Sequence, residues 1–253
     1  MNNKFIVTLM LTFLLPIISW GDGSIRYGFV SRDVTAFVIK KQQKPLEDAL
    51  HQFVHFAVFE SDLLMQQFVH EHPKDLALLY VKVTNVPLIK QQKDWKSLMV
   101  VNDIDAETHR LSKDYKMYIV TAKKASIKSL ADLHDKTLVY YNKDSVSNYI
   151  AVRNMLQKQH IQNIHWVKAL DWKQAIKMID DGKADAMGLW HMHYIYHDKR
   201  ANFKVIAEQR IQNPQIFVNQ RQLTTSQIKV IKNVLKSFYD NPANLQVPET
   251  VAS

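Results

Sequence analysis

The stretch from Ala125 to Leu156, ASIKSLADLHDKTLVYYNKDSVSNYIAVRNML, leaves a chain few ways to fold. Leu130 to His134 reads as one helical turn docked by Leu130 and Leu133, and Thr137 to Tyr141 is a β-branched and aromatic run of strand length. Asn142, Lys143 and Asp144 then lead through Ser145, Val146, Ser147 and Asn148 into apolar positions at helical spacing, Ile150, Val152, Met155 and Leu156. A helix that begins just after a buried strand presents unpaired backbone N–H groups and the positive end of its dipole. Hydroxyls at that point either cap the helix or complete a cradle for an anion or polar ligand, and Ser145 and Ser147 stand open to both roles.

The rest of the chain alternates in the same way. Ile25 to Val30 predicts a first strand, and Pro45 opens a helix carrying Leu46, Ala49, Leu50, Phe53 and Val54 on one face. His55 to Phe59 predicts a second strand that runs into Glu60-Ser61-Asp62 and a helix through Leu63, Leu64 and Phe68. Ser61 or Asp62 is placed to cap that helix and face a cleft. Leu76 to Val83 is the third strand, with Tyr80 near its carboxyl end, where open parallel sheets place their ligands. Val86 to Asn102 reads as a loop or short helix followed by a strand, and Tyr115 to Thr121 as a crossing into a second lobe. That lobe holds the opening stretch, a strand at Ile164 to Val167, a helix at Asp171 to Asp181 and strands at Ala184 to Leu189 and Phe203 to Ala207. Thr225 to Tyr239 closes the chain as a helix on the first lobe. The alternation of strands and helices is the doubly wound signature.

The amino end carries an export signal pattern. Met1 to Lys4 is a short basic start, Phe5 to Ile18 is apolar apart from Thr8, Thr12 and Pro16, and Ser19-Trp20-Gly21 offers small residues for cleavage. We expect residues 1–21 to be a cleaved signal peptide, residues 22–120 the first part of lobe 1, residues 121–207 lobe 2, and residues 208–253 the return to lobe 1. The chain has no cysteine, which removes disulfide stapling and the lipidated cysteine of a lipoprotein. Loss of Lys4, the one charged residue of the signal, lowers the formal charge from +9 to +8 and favours anionic partners weakly. The lysines are scattered without interleaved aromatics, so no nucleic acid is expected. Five glycines in 253 residues exclude a Gly-rich phosphate loop. No G-x-S-x-G elbow, H-E-x-x-H or cysteine nucleophile is present, so no enzyme and no cofactor are expected.

Three segments carry a resemblance. The phrase SxxDLxxKT followed by a strand and by S-x-S opening a helix, the segment WKQAIKMIDDGKADAMGLW, and Asn213-Pro214 leading to Ile216-Phe217-Val218 and a capped helix resemble, in order and spacing, the PhnD-like periplasmic solute-binding proteins. The resemblance covers roughly residues 24 to 242. It implies a two-lobed type II periplasmic-binding-protein fold of the α/β class, two doubly wound sheets joined by two hinge crossings. It also implies a monomer in the periplasm that captures a small anionic or zwitterionic solute of the phosphate/phosphonate class by lobe closure, and an inner-membrane ABC permease that receives it. In the family the second-lobe turn supplies three consecutive hydroxyls and then glycine; here Val146 and Asn148 replace the middle hydroxyl and the glycine. Trp172 stands where phosphonate binders carry a histidine, and Met192 near their amine-binding acid.

The ligand-binding set expected is therefore Ser145, Ser147, Asn148, Trp172, Ser61 and Tyr80. Trp172 is either a stacking wall in the cleft or the first buried residue of its helix. His191, His193 and His197 form the one cluster with metal-ligand chemistry, but no single regular element presents all three together and no acid or cysteine lies among them. The rival readings are a periplasmic sensory or metal-binding protein, and an enzyme, on the same fold.

Overall fold

A computed structural model describes residues 23–30, 33–105, 108, 110–191, 194 and 202–246, so the signal segment lies outside the described residues. Strands β1 (Ile25–Val30), β2 (Val54–Phe59), β3 (Leu78–Val81) and β4 (Trp95–Val100), with the late strand Gln215–Asn219, build a sheet in the order β2-β1-β3-late strand-β4. β1 runs parallel to β2 and β3, and the late strand runs antiparallel to β3 and β4. The carboxyl ends of β1 to β4 therefore lie along one edge. Helices α1 (Asp33–Lys40), α2 (Gln43–Leu50), α3 (Asp62–Glu71) and α4 (Val86–Lys90) connect these strands.

Two helices differ from the expectation for physical reasons. α2 begins before Pro45 and ends at Leu50, because His51 takes a left-handed conformation and donates its N–H to the Glu47 carbonyl at 2.8 Å. The Glu47 carboxylate accepts the Val54 N–H at 3.0 Å, which starts β2 there and leaves Phe53 71% exposed instead of on the helix face. α3 buries Asp62, Met65 and Val69, and the Leu63 and Leu64 expected at its core are exposed. A charged residue occupies the stripe because Lys82 Nζ and Asn85 Nδ2 donate to its two carboxylate oxygens at 2.7 and 2.8 Å.

After two short strands, β5 (Asp103–Ile104) and β6 (Leu111–Ser112), the chain enters β7 (Asp114–Ala122). With β8 (Thr137–Tyr140), β9 (His165–Lys168), β10 (Ala186–Trp190) and β11 (Phe203–Gln212) it forms the second sheet, in the order β11-β7-β10-β8-β9. The segment expected as a crossing is thus a full strand of lobe 2, buried from Met117 to Thr121 because both faces are covered. α5 (Ala151–Lys158), entered through a wide turn at Val146–Ile150, packs on one face with Met117, Ile119 and Leu138; α6 (Trp172–Asp180) packs on the other with Tyr118, Val120 and Val139. β12 (Gln215–Asn219) is the late strand of the first sheet, and α7 (Thr225–Tyr239) covers that sheet, its Thr224 capped reciprocally by Gln227.

The wide turn sits against β10 through one glycine. A Cβ on Gly188 would run into Val152 Cγ2 and the Ser147 carbonyl oxygen, and would lie 3.1 Å from the Asn148 carbonyl oxygen. Asn148 is buried there. Its Oδ1 accepts the Tyr141 N–H at 2.8 Å and the Asn142 N–H at 3.4 Å, and its Nδ2 donates to the Gly188 carbonyl at 2.9 Å. One side chain thus ties the end of β8, the helix start and β10 together.

The two sheets are joined by two crossings, residues 101–113 and residues 213–214. Asn213 Nδ2 donates to the Val101 and Ser112 carbonyls at 3.2 and 2.9 Å, binding the crossings to each other. Beside them Asp103 sits near the buried phenols of Tyr80, Tyr115 and Tyr239, all pushed upward mainly by desolvation. Burial also raises the Asp103 carboxyl from 3.8 to about 6, against a lowering hydrogen bond from the Ile104 N–H at 2.8 Å.

Gly188→Ala is expected to destabilise the protein by about 2 kcal/mol or more in urea unfolding, because the helix start must move off β10; a loss below about 0.5 kcal/mol would show that the contact yields freely. For Asp103 the folded state holds a proton that the unfolded chain releases between 3.8 and about 6, so its contribution to stability falls as pH rises through that window. Urea unfolding at several pH values from 4 to 7 should show the wild type losing stability relative to Asp103→Asn as pH rises. A flat difference would place Asp103 in solvent-like surroundings.

Candidate ligand-binding cleft

β8, β9 and β10 run parallel, so the turn before Val146, the turn before α6 and the end of β10 share one edge of the second sheet. Ser145 caps the helix start, its Oγ accepting the Asn148 N–H at 3.2 Å, while its carbonyl takes both the Tyr149 and Ile150 N–H groups at 3.1 and 3.0 Å. An i→i+5 turn of this kind is uncommon in helices and occurs disproportionately at functional sites. Ser147, half-buried one residue into the turn, makes no side-chain hydrogen bond among the described residues. The Val146 and Ser147 N–H groups belong to the first turn and have no intrahelical acceptor. Asn148, by contrast, spends its amide on the protein itself, as described above.

α6 begins at the same edge. Asp171 caps it, accepting the Gln174 N–H at 2.8 Å, and Leu170 just before it is 86% exposed. Trp172 is half-buried, packed with Tyr141 and Tyr194 against the cluster that holds Tyr118 and Met187. Asp185 accepts the Thr137 N–H at 2.8 Å and so fixes the start of β8 at the opposite edge.

On the first lobe, Ser61 caps α3 by accepting the Leu64 N–H at 3.2 Å, on the edge formed by the carboxyl ends of β1 to β4. Tyr80 lies in the layer between the first sheet and α7, packed with the Leu78 and Ile216 cluster. Ser145, Ser147, Asn148 and Trp172 are therefore brought to one edge of the second sheet, Ser61 to the corresponding edge of the first, and Tyr80 into a packing layer. His191 is buried, 5.9 Å in ring-centroid distance from Trp190, with Nδ1 2.9 Å from the Lys116 carbonyl; desolvation foremost lowers its pKa. His193 and His197 lie outside the described residues, and among the described residues no group of three or more potential ligands could hold a metal ion.

Sequence reasoning missed a polar network on the first-lobe edge. Lys82, directly after β3, pairs with Asp62 at 2.7 Å, and Asn85 bridges Asp62 to Gln66 Nε2, which donates to Asn85 Oδ1 at 2.9 Å. The signal was positional: Lys82 follows the carboxyl end of a parallel strand, but among scattered lysines it reads as solvated surface. Val83, the next residue, packs against the second-lobe cluster that contains Val146, so this network lies where the lobes meet.

Solved structures of other two-lobed proteins match this arrangement. XAC2383 from Xanthomonas citri, solved with bound chloride, superposes with a TM-score of 0.67 at 14% identity over 87% of this chain and 85% of that one. PhnD1 from Prochlorococcus marinus in complex with methylphosphonate gives 0.64 at 14% identity, over 85% of each chain. The aliphatic sulphonate binding protein SsuA from Escherichia coli gives 0.59 at 15% identity, over 90% of this chain and 81% of that one. These likenesses establish the type II periplasmic-binding-protein fold. No curated protein matches the chain. Among the described residues no helix is long and apolar enough to cross a membrane. Residues 45–251 match the family described as ABC transporter, phosphonate, periplasmic substrate-binding protein, and over that span the chain belongs to this family of ligand-binding transporter components.

Proposed function

We propose that this protein captures a small anionic or zwitterionic solute of the phosphate or phosphonate class between its two lobes and delivers it to an inner-membrane ABC permease. The observation that carries the reading is the Ser147 hydroxyl, uncommitted beside the orphan N–H groups of the Val146 turn, at the carboxyl ends of the parallel strands β8, β9 and β10. Burial of a ligand oxygen there replaces water by a charge-assisted hydrogen bond and by the helix-start dipole. Ser145 is occupied, its hydroxyl as the cap and its N–H by the Asn142 carbonyl at 3.2 Å, and Asn148 holds the turn in place with its amide. Trp172 gives the same edge an apolar flank, suited to an organic substituent on the anion. Ser61 and the Lys82–Asp62 pair form the opposing wall on lobe 1.

In this reading the ligand is held and released unchanged, with no turnover. Residues 1–21 are removed on export, the mature monomer works in the periplasm, and residues 22–120 with 208–253 close on residues 121–207. Methylphosphonate is the bound molecule of PhnD1, and chloride and ATP are those of XAC2383, so anions are the compounds to try first.

Calorimetric titration of the purified protein with methylphosphonate and with inorganic phosphate tests this. Ser147→Ala is expected to weaken binding about tenfold or more, since a hydrogen bond to a charged group contributes ~1.5–3 kcal/mol, while leaving the unfolding midpoint of the free protein unchanged. Binding unaffected by Ser147→Ala, or no heat from any anion tried, would refute the placement.

A further inference from the structure

Next to the Ser145 turn, the ends of β8 and β9 border a pocket of about 480 Å³ lined by Tyr140, Tyr141, Asn142, Lys143, Asp144 and Lys168. Lys168 is the last residue of β9 and is paired in register with Tyr140. Lys143 comes from the turn, its Nζ 5.7 Å from the Tyr140 ring centroid. That ring is itself packed by Tyr149 at 5.0 Å and Trp166 at 6.1 Å between centroids. Among the described residues neither ammonium makes an ion pair or a side-chain hydrogen bond, whereas Lys44, Lys82, Lys177, Lys183 and Lys236 all have carboxylate partners. Even counting Asp144, the lining keeps an excess of one positive charge, and the start of the neighbouring helix adds to it.

Lys143 and Ser147 are four positions apart, at most about 14 Å of extended chain, and the hydrogen bonds of the Ser145 N–H to the Asn142 carbonyl and of the Asn148 N–H to the Ser145 hydroxyl fold that span into a compact turn. We infer that this pocket receives a second anionic group of the same ligand, so that the protein selects a bifunctional anion, a phosphonate or phosphate bearing a further carboxylate or phosphoryl group, over a monofunctional one. The inference rests on the reading of Ser147 as an anion ligand. The first anionic group then occupies the helix start and the second lies between Lys143 and Lys168, where it gains charge-assisted hydrogen bonds from two cations drawn from different elements. A monofunctional anion fills the helix start alone and forgoes those bonds.

The test compares phosphonoacetate with methylphosphonate by calorimetric titration of the wild type and of Lys143→Gln/Lys168→Gln. Both lysines are exposed, so the double variant should keep the unfolding midpoint of the wild type. Wild type is expected to bind phosphonoacetate about tenfold or more tighter than methylphosphonate. In the double variant that preference should disappear, with methylphosphonate affinity unchanged within about twofold. Equal affinity for the two compounds in the wild type, or a preference that survives in the double variant, overturns the inference while leaving a Ser147-dependent methylphosphonate site intact. Failure of both compounds to bind, or binding indifferent to Ser147→Ala, overturns the underlying reading and this inference with it.

Discussion

The contact between a helix start and a bare strand backbone is what the second lobe depends on. Gly188 has no side chain, so the turn at Val146–Ile150 rests directly on β10, and Asn148 bridges the two with a donor and an acceptor. A buried amide satisfied on both atoms specifies one arrangement, because any sliding of the turn leaves two backbone N–H groups and a carbonyl unpaired. The position of Ser147, and of the N–H groups beside it, follows from that arrangement rather than from interactions of its own. A glycine forty residues downstream therefore sets the geometry of the cleft.

The same logic links the lobes. Each sheet directs the carboxyl ends of its parallel strands toward the crossings, since β4 leads into β5 to β7 and β11 leads into β12 at those ends. Asn213 ties the crossings together through the Val101 and Ser112 carbonyls. Two segments held side by side can bend but not separate, which is the condition for hinge closure about a ligand. The buried phenols around Asp103 lie next to this hinge, and desolvation there lifts the carboxyl to about 6, so its proton is lost below neutral pH and the charge that forms is met by the Ile104 N–H at 2.8 Å.

Much of this was legible in the sequence, and the exceptions have physical causes. β1 and the helix Thr225–Tyr239 were readable to the residue, since each has strong apolar spacing and, for the helix, a capping box. The segment Asp33–Lys40 was overlooked, for its apolar residues Ala36 to Ile39 are consecutive and carry no helical spacing. The face of α3 was misread because a paired Asp62 replaces an apolar residue in its buried stripe, and the end of α2 because His51 does without glycine what glycine usually signals. Ser145 and Ser147 were placed at a helix start from the strand-to-helix junction, but which of them caps it was not legible, since that depends on the wide turn. Asn148 was read as a ligand residue where the structure uses its amide as a brace. The Lys82–Asp62–Asn85 network escaped because its members are spread over 23 residues and no short motif joins them.

Lobe closure on an anion is the central claim, and a pair of spin labels measures it directly. The chain has no cysteine to interfere, and Leu63 and Leu170 are 63% and 86% exposed at the cleft edges of lobes 1 and 2. With Leu63→Cys/Leu170→Cys labelled, pulsed electron–electron distance measurement should show the separation shortening and its distribution narrowing at saturating methylphosphonate, and Ser147→Ala should move the transition to higher concentration. A distance distribution indifferent to methylphosphonate, phosphonoacetate and phosphate would contradict capture by closure.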